Sequence, residues 1–129
     1  MSQTIQAVID WERFGQARTH LGVRFLRVVG YFRDDGAKSV ATIEDSLRAG
    51  DAIGMIGPAD LLKADALQIG ALSVAELAED VEFAARDCVE WRQSPEVLLE
   101  QVMLLRRHFS DTVAQLDREV SPLMARRTA

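Results

Sequence analysis

Apolar residues along this chain recur every three or four positions, in successive blocks separated by Gly, Pro or Ser. Such spacing belongs to helices that bury one face. The first block is short: Asp10 is placed to cap a helix in which Trp11, Phe14, Ala17 and Leu21 share a face. The second runs from about Gly22 to Ala49, with Phe25, Val29, Phe32, Gly36, Val40, Ile43 and Leu47 in one phase. It predicts a single helix about 40 Å long at 1.5 Å per residue. Asp34-Asp35-Gly36 is the one place that could break it in two, but the apolar phase is the same on both sides and predicts continuity. Gly36 falls on the buried seam, where a missing side chain lets another helix come close.

The third block starts near Asp51 and ends at Gly70, a residue suited to the position past a helix end. Its stripe is Met55, Ala59, Leu62, Ala66 and Ile69, and Pro58 inside it predicts a kink or a restarted helix. The fourth opens at Ser73 and Glu76, which fit a capping box, and lines Leu77, Val81, Ala84, Cys88 and Trp91 along one face. Cys88 reads as a small buried hydrophobe. The fifth opens at Ser94-Pro95-Glu96 and carries Leu98, Val102, Leu105, Phe109, Val113, Leu116 and Val120. From Ser121 to Ala129 the period is lost, which predicts a solvated, fraying tail that includes Arg126 and Arg127.

Short links between long amphipathic helices make neighbours antiparallel. The prediction is an all-α, up-down, four-helix bundle with a short N-terminal helix capping one end. The 129 residues form one domain, with its core over about 10–120 and a tail over 121–129.

Composition removes several function classes. A net charge of -5 speaks against a nucleic-acid surface. No apolar run approaches the roughly 20 residues that span a bilayer. Met1 to Gln6 lacks the basic-then-apolar pattern of a signal peptide. One cysteine permits no intrachain disulfide and suits a reducing compartment. The expectation is a cytoplasmic protein, monomeric, with no nucleic acid, membrane, metal or cofactor as partner. No Gly-rich phosphate loop, metal-ligand spacing or Ser-His-Asp grouping suggests a small-molecule enzyme. Paired acids such as Glu44-Asp45 and Glu79-Asp80 read as solvated helix faces.

The stretch from Ala59 to Ala71, Ala-Asp-Leu-Leu-Lys-Ala-Asp-Ala-Leu-Gln-Ile-Gly-Ala, resembles the signature of the histidine-phosphotransfer (Hpt) family. That signature reads Ala-His-x-Leu-Lys-Gly-x-Ala, followed by a Gly-Ala pair. Ala59, Leu62, Lys63, Ala66, Gly70 and Ala71 fall in register; Asp60 stands at the histidine and Ala64 at the glycine. The segments around Tyr31-Phe32-Arg33-Asp34-Asp35, Ala49-Gly50-Asp51-Ala52 and Leu77 to Arg86 are also similar to the family, so the likeness spans roughly residues 10–120. It implies that Asp60 occupies the acceptor position, exposed on the third helix. Ala64 lies one turn on, where a small residue leaves the acceptor open. Asp60, Leu61, Lys63, Ala64, Leu67 and Gln68 would form the docking centre. Lys63 is either a charge partner for a phosphoryl group, as the family suggests, or a helix lysine paired with a nearby acid.

Phosphotransfer by the family's route requires an imidazole nitrogen, which Asp60 lacks. The two histidines, His20 and His108, read as surface or boundary residues. An acyl phosphate on Asp60 would require a metal-binding acidic cluster that the spacing does not supply. The resemblance therefore implies no catalytic residue, and a phosphorelay module that binds a response-regulator receiver domain or a sensor kinase without carrying phosphate. The other readings are a helical scaffold or dimerisation protein, an active phosphotransfer protein, and a natural histidine altered to Asp60. Ala64 speaks against the last, since a single probing substitution would leave the glycine in place.

Overall fold

In the computed structural model, residues 8–128 are described, with side chains over 8–120. Helix α1 covers Trp11–Leu21, and a single 3-10 turn, Gly22–Arg24, leads into α2, Phe25–Arg48. Helices α3, Ile53–Gln68, and α4, Leu72–Glu90, follow. A second 3-10 turn, Pro95–Leu98, opens α5, Leu99–Thr128. The four long helices pack in the ring order α2, α3, α4, α5, with α5 closing back on α2. This is the predicted all-α antiparallel bundle, and α1 caps one end. No described helix is long and apolar enough to cross a membrane.

Helix α2 is continuous through Asp34-Asp35-Gly36, and all seven residues of its predicted stripe are buried. Gly36 explains how closely α5 approaches: a Cβ there would lie 2.5 Å from Phe109 Cε1 and 3.4 Å from Leu62 Cδ1. Phe109 fills that space and also meets Phe32, with ring centroids 5.4 Å apart. Two charged pairs stitch the same seam on its outer side, Arg106 to Glu44 at 2.7 Å and Arg33 to Asp117.

The end cap is built from local chemistry. Asp10 Oδ1 accepts from the backbone N–H groups of Glu12 and Arg13, so α1 begins where predicted. Phe14 is the buried residue of α1, edge-on to Phe25 with centroids 5.0 Å apart; Trp11 stays largely outside. Gly70, at φ +79, ends α3 in a conformation that favours glycine. Its carbonyl accepts from the Asp10 N–H at 2.8 Å, and a Cβ at Gly70 would strike the Asp10 carbonyl oxygen.

Four expectations change. Helix α4 starts at Leu72, with no side-chain cap, so Ser73 and Glu76 form no capping box. Ser73 is instead buried: its Oγ accepts from the Val8 N–H at 3.0 Å, and its own N–H donates to the Val8 carbonyl. The long-range partner, 65 residues away, outcompetes the local one. The buried face of α4 runs through Val74, Ala78, Val81, Ala85 and Cys88, while Leu77 and Ala84 sit at its margin and Trp91 projects outward. Helix α3 does not restart at Pro58, which removes one of the two outcomes expected there and leaves the kink. The proline lies in the second turn, where its missing N–H forfeits one bond, to the Gly54 carbonyl. Last, the helical assignment of α5 runs on to Thr128, past the Ser121 where the period is lost. The environment of Arg126 and Arg127 side chains, and the reading of Met1 to Gln6, lie outside what is described.

Candidate functional site

Helix α3 is anchored before it is exposed. Asp51 Oδ1 accepts from the Gly54 N–H at 2.9 Å, closing the first turn. A Cβ on Gly54 would lie 2.7 Å from Ser46 Oγ, so a larger residue here would have to displace the Ser46 and Asp51 side chains. Met55, Ala59, Leu62 and Ala66 then point inward and are completely buried, as is Ile69 just past the helix end. With that face fixed, 3.6 residues per turn put Asp60, Ala64 and Gln68 on the opposite side. All three are exposed, and Leu61 and Leu67 beside them stay about half open to solvent.

Lys63 leaves this ridge sideways. Its Nζ lies 2.8 Å from Glu79 Oε2 on α4 and 5.9 Å from the centre of the Phe83 ring. The hydrogen bond to Glu79 pushes the Lys63 pKa above its ordinary value; desolvation opposes this, and the negative fields of Glu79, Glu82 and Asp60 add to the rise. Lys63 is thus paired with a nearby acid and contacts an aromatic face. Asp60 has no ion-pair partner among the described residues. On the α2 side, Asp65 is partly covered. Desolvation, then the neighbouring Asp35 carboxylate, pushes its pKa up.

Three shallow hollows flank the ridge. One of about 290 Å³ lies between α2 and α3, with Lys38, Thr42, Pro58 and Leu61 among its walls. A second, about 520 Å³, lies between α1 and the end of α3, where Arg13 and His20 face Leu67 and Gln68. The smallest, about 90 Å³, separates α3 from α4 at Lys63, Leu67, Glu76 and Glu79. The six predicted site residues are therefore contiguous, but the surface is wider than α3 alone. Phe83, Lys38 and Thr42 went unread in the sequence, and Glu79, read there as part of a solvated helix face, is the partner of Lys63. Half-exposed Phe83, one turn beyond Glu79, gave the only available hint: a large aromatic off the apolar stripe.

The histidines separate. His20 is exposed in the last turn of α1. His108 is not the boundary residue expected: it is fully buried in α5, and neither ring nitrogen has a protein partner. Thr112, one turn on, is equally buried and its Oγ1 is likewise unpartnered. Among the described residues, no three His, Cys, Asp or Glu side chains are grouped to hold a metal ion. Cys88 is buried, its thiol 3.8 Å from the Ser94 carbonyl oxygen.

No family model and no curated protein matches the chain. Among solved structures, it is similar to the crystal structure of histidine-containing phosphotransfer protein B from Pseudomonas aeruginosa PAO1. The TM-score is 0.80 at 17% sequence identity, over 88% of this chain and 95% of that one. At that identity the likeness establishes the fold: this chain has an Hpt-like, all-helical bundle.

Proposed function

We propose that this chain is an Hpt-like phosphorelay module that binds a receiver domain or a sensor kinase as an adaptor or regulator and carries no phosphate on histidine. The observation that carries this reading is the setting of Asp60. It sits outward, midway along α3, above buried Ala59 and Leu62 and one turn before the small Ala64, in a bundle with an Hpt-like fold. A carboxylate there offers no ring nitrogen to a phosphoryl donor. The buried His108 is out of a partner's reach. A phosphoryl group on Asp60 itself would form an acyl phosphate, chemistry that usually enlists a divalent cation held by further acids; no such group surrounds it among the described residues. Leu61, Leu67, Ala64 and Gln68, with Lys63 at the edge, supply the mixed apolar and polar contact area that docking requires. A cytoplasmic location and a monomeric state belong to the same reading.

The test is to mix the protein with phosphorylated receiver domains and follow both complex formation and phosphate. The reading expects a complex with no transfer of phosphate to this chain. It expects Asp60→His to gain phosphate from a cognate receiver, because only the acceptor would have been missing. Transfer to the unaltered protein would overturn the loss of chemistry. An Asp60→His variant that neither binds nor accepts would favour a scaffold that kept the fold alone.

A further inference from the structure

The three hollows that border the Asp60 ridge differ in the charge of their walls. The one toward α2 carries Lys38 but also Asp35, and the one toward α4 carries Lys63 but also Glu76 and Glu79. The largest, between α1 and the end of α3, has Arg13 and His20 in its wall with Gln16 and Gln68, and no carboxylate. Lys63 is held by Glu79 at 2.8 Å. Arg13 keeps a single long contact with its own helix cap, Nε to Asp10 Oδ2 at 3.8 Å, and its side chain is 56% exposed. His20 forms no ion pair among the described residues. Arg13 and His20 are seven residues apart on α1, two turns, so both present to the same side. The surrounding sequence reinforces the sign. Residues 10–27 hold Arg13, Arg18, Arg24 and Arg27 against Asp10 and Glu12, in a chain whose net charge is -5.

Reach ties this hollow to the ridge. Gln68 belongs to both, and it lies two turns beyond Asp60, about 12 Å along α3. A partner of ordinary size covers roughly 800 Å², a patch about 30 Å across. One centred on Asp60 therefore closes over Leu67 and Gln68 and onto the α1 wall. Cations covered there without a counter-charge would lose their water uncompensated and weaken the complex. An extended polyanion, nucleic acid or lipid surface, would also lie across the carboxylate of Asp60 and be repelled by it. A single carboxylate entering the concavity, of about 520 Å³, meets the cations alone. We propose that this hollow is an anion-recognising subsite of the docking surface: a Glu or Asp side chain of the docked protein enters it and accepts hydrogen bonds from the Arg13 guanidinium and the His20 ring. The contact fixes how the partner is turned on the ridge and excludes partners with a cation at that place. The inference rests on the docking reading above for its partner, not for the chemistry of the hollow.

Two measurements test this, one of which needs no partner. In an NMR titration of the full chain, a hexaglutamate peptide is expected to shift the His20 ring and Gln68 side-chain amide signals, and hexaserine to leave them in place. The shifts should shrink as salt is raised and vanish with Arg13→Glu. In the receiver-domain binding assay, Arg13→Glu combined with His20→Gln is expected to weaken the complex by roughly tenfold or more, largely through slower association. Arg118→Glu, on α5, which packs against α2 and α4, should change affinity less than about twofold. The subsite is refuted if hexaglutamate moves neither signal, if Arg13→Glu leaves the shifts intact, if receivers bind the double variant as tightly as the unaltered chain, or if phosphatidylserine vesicles capture the chain through Arg13. Receivers that ignore the unaltered chain altogether would remove the docking reading, and the peptide titration would still decide the chemistry of the hollow.

Discussion

Helices α3 and α4 lie side by side, yet the periodic pattern locates the buried face of one and misplaces that of the other. On α3, Met55, Ala59, Leu62 and Ala66 are the inward residues, as the spacing predicts, although Ile53, Ile56, Leu61 and Leu67 leave apolar side chains off that stripe. On α4, Ala75, Leu77, Ala78, Val81, Ala84 and Ala85 allow two adjacent stripes. Packing selects the narrower one, through Val74, Ala78, Val81 and Ala85, because small side chains let α3 and α4 approach. The wider reading places Trp91 inside, and the bundle leaves it in water. On α4, where alanines occupy two adjacent phases, volume decides which face is buried.

Substitutions that set inside against outside on each helix break or sharpen this contrast. The largest effect is expected on α3. Leu62→Ala should cost about 3 kcal/mol of unfolding free energy, and Asp60→Ala less than about 0.5, measured by urea denaturation. Similar losses at the two positions would mean that α3 is rotated from its described setting. On α4, Val81→Ala should cost about 2 kcal/mol while Trp91→Ala stays within about 0.5. A costly Trp91→Ala would restore the wider stripe.

Ser73 supplies a smaller step. Removing its hydroxyl leaves the Val8 N–H without an acceptor, so Ser73→Ala should cost about 1 kcal/mol. Glu76→Ala should cost almost nothing, whereas a capping box would make both matter. The smallest effect concerns Asp65. Its folded-state pKa is raised, so its ionised form is disfavoured by folding at neutral pH. That penalty is fully present above the folded pKa and disappears as pH falls below the unfolded value. Asp65→Asn should therefore stabilise slightly near pH 7 and make no difference in strong acid; thermal melts across pH would reveal the opposite trend if the carboxylate were instead paired.

What the sequence reveals here follows the range of the interactions. The Asp10 cap, the uninterrupted α2, the glycine at its seam and the exposure of the Asp60 row arise within a few turns of one helix, and the sequence carries them. Ser73 reaches a partner 65 residues back, and Lys63 reaches across to α4, so neither pairing leaves a local trace. The hollows beside α3 are properties of helix pairs and were invisible for the same reason. His108 and Thr112 are polar residues inside an apolar core, against the ordinary preference of their types. Nothing adjacent in the chain signals that burial. Glu82 is a milder case: its side chain is buried, but one carboxylate oxygen accepts from Arg86 at 3.0 Å, one helical turn away.

The hydrogen bond from Asp10 to Gly70 has a kinetic consequence. It joins the beginning of the described chain to the end of α3, and it can close only after α2 and α3 have folded back on each other. Helix α1 buries one side chain of its own, so it gains little before that meeting. It is therefore the element expected to dock last during refolding and to exchange its amide hydrogens first in the native state. The interior helices can be complete while this end of the bundle still opens and closes.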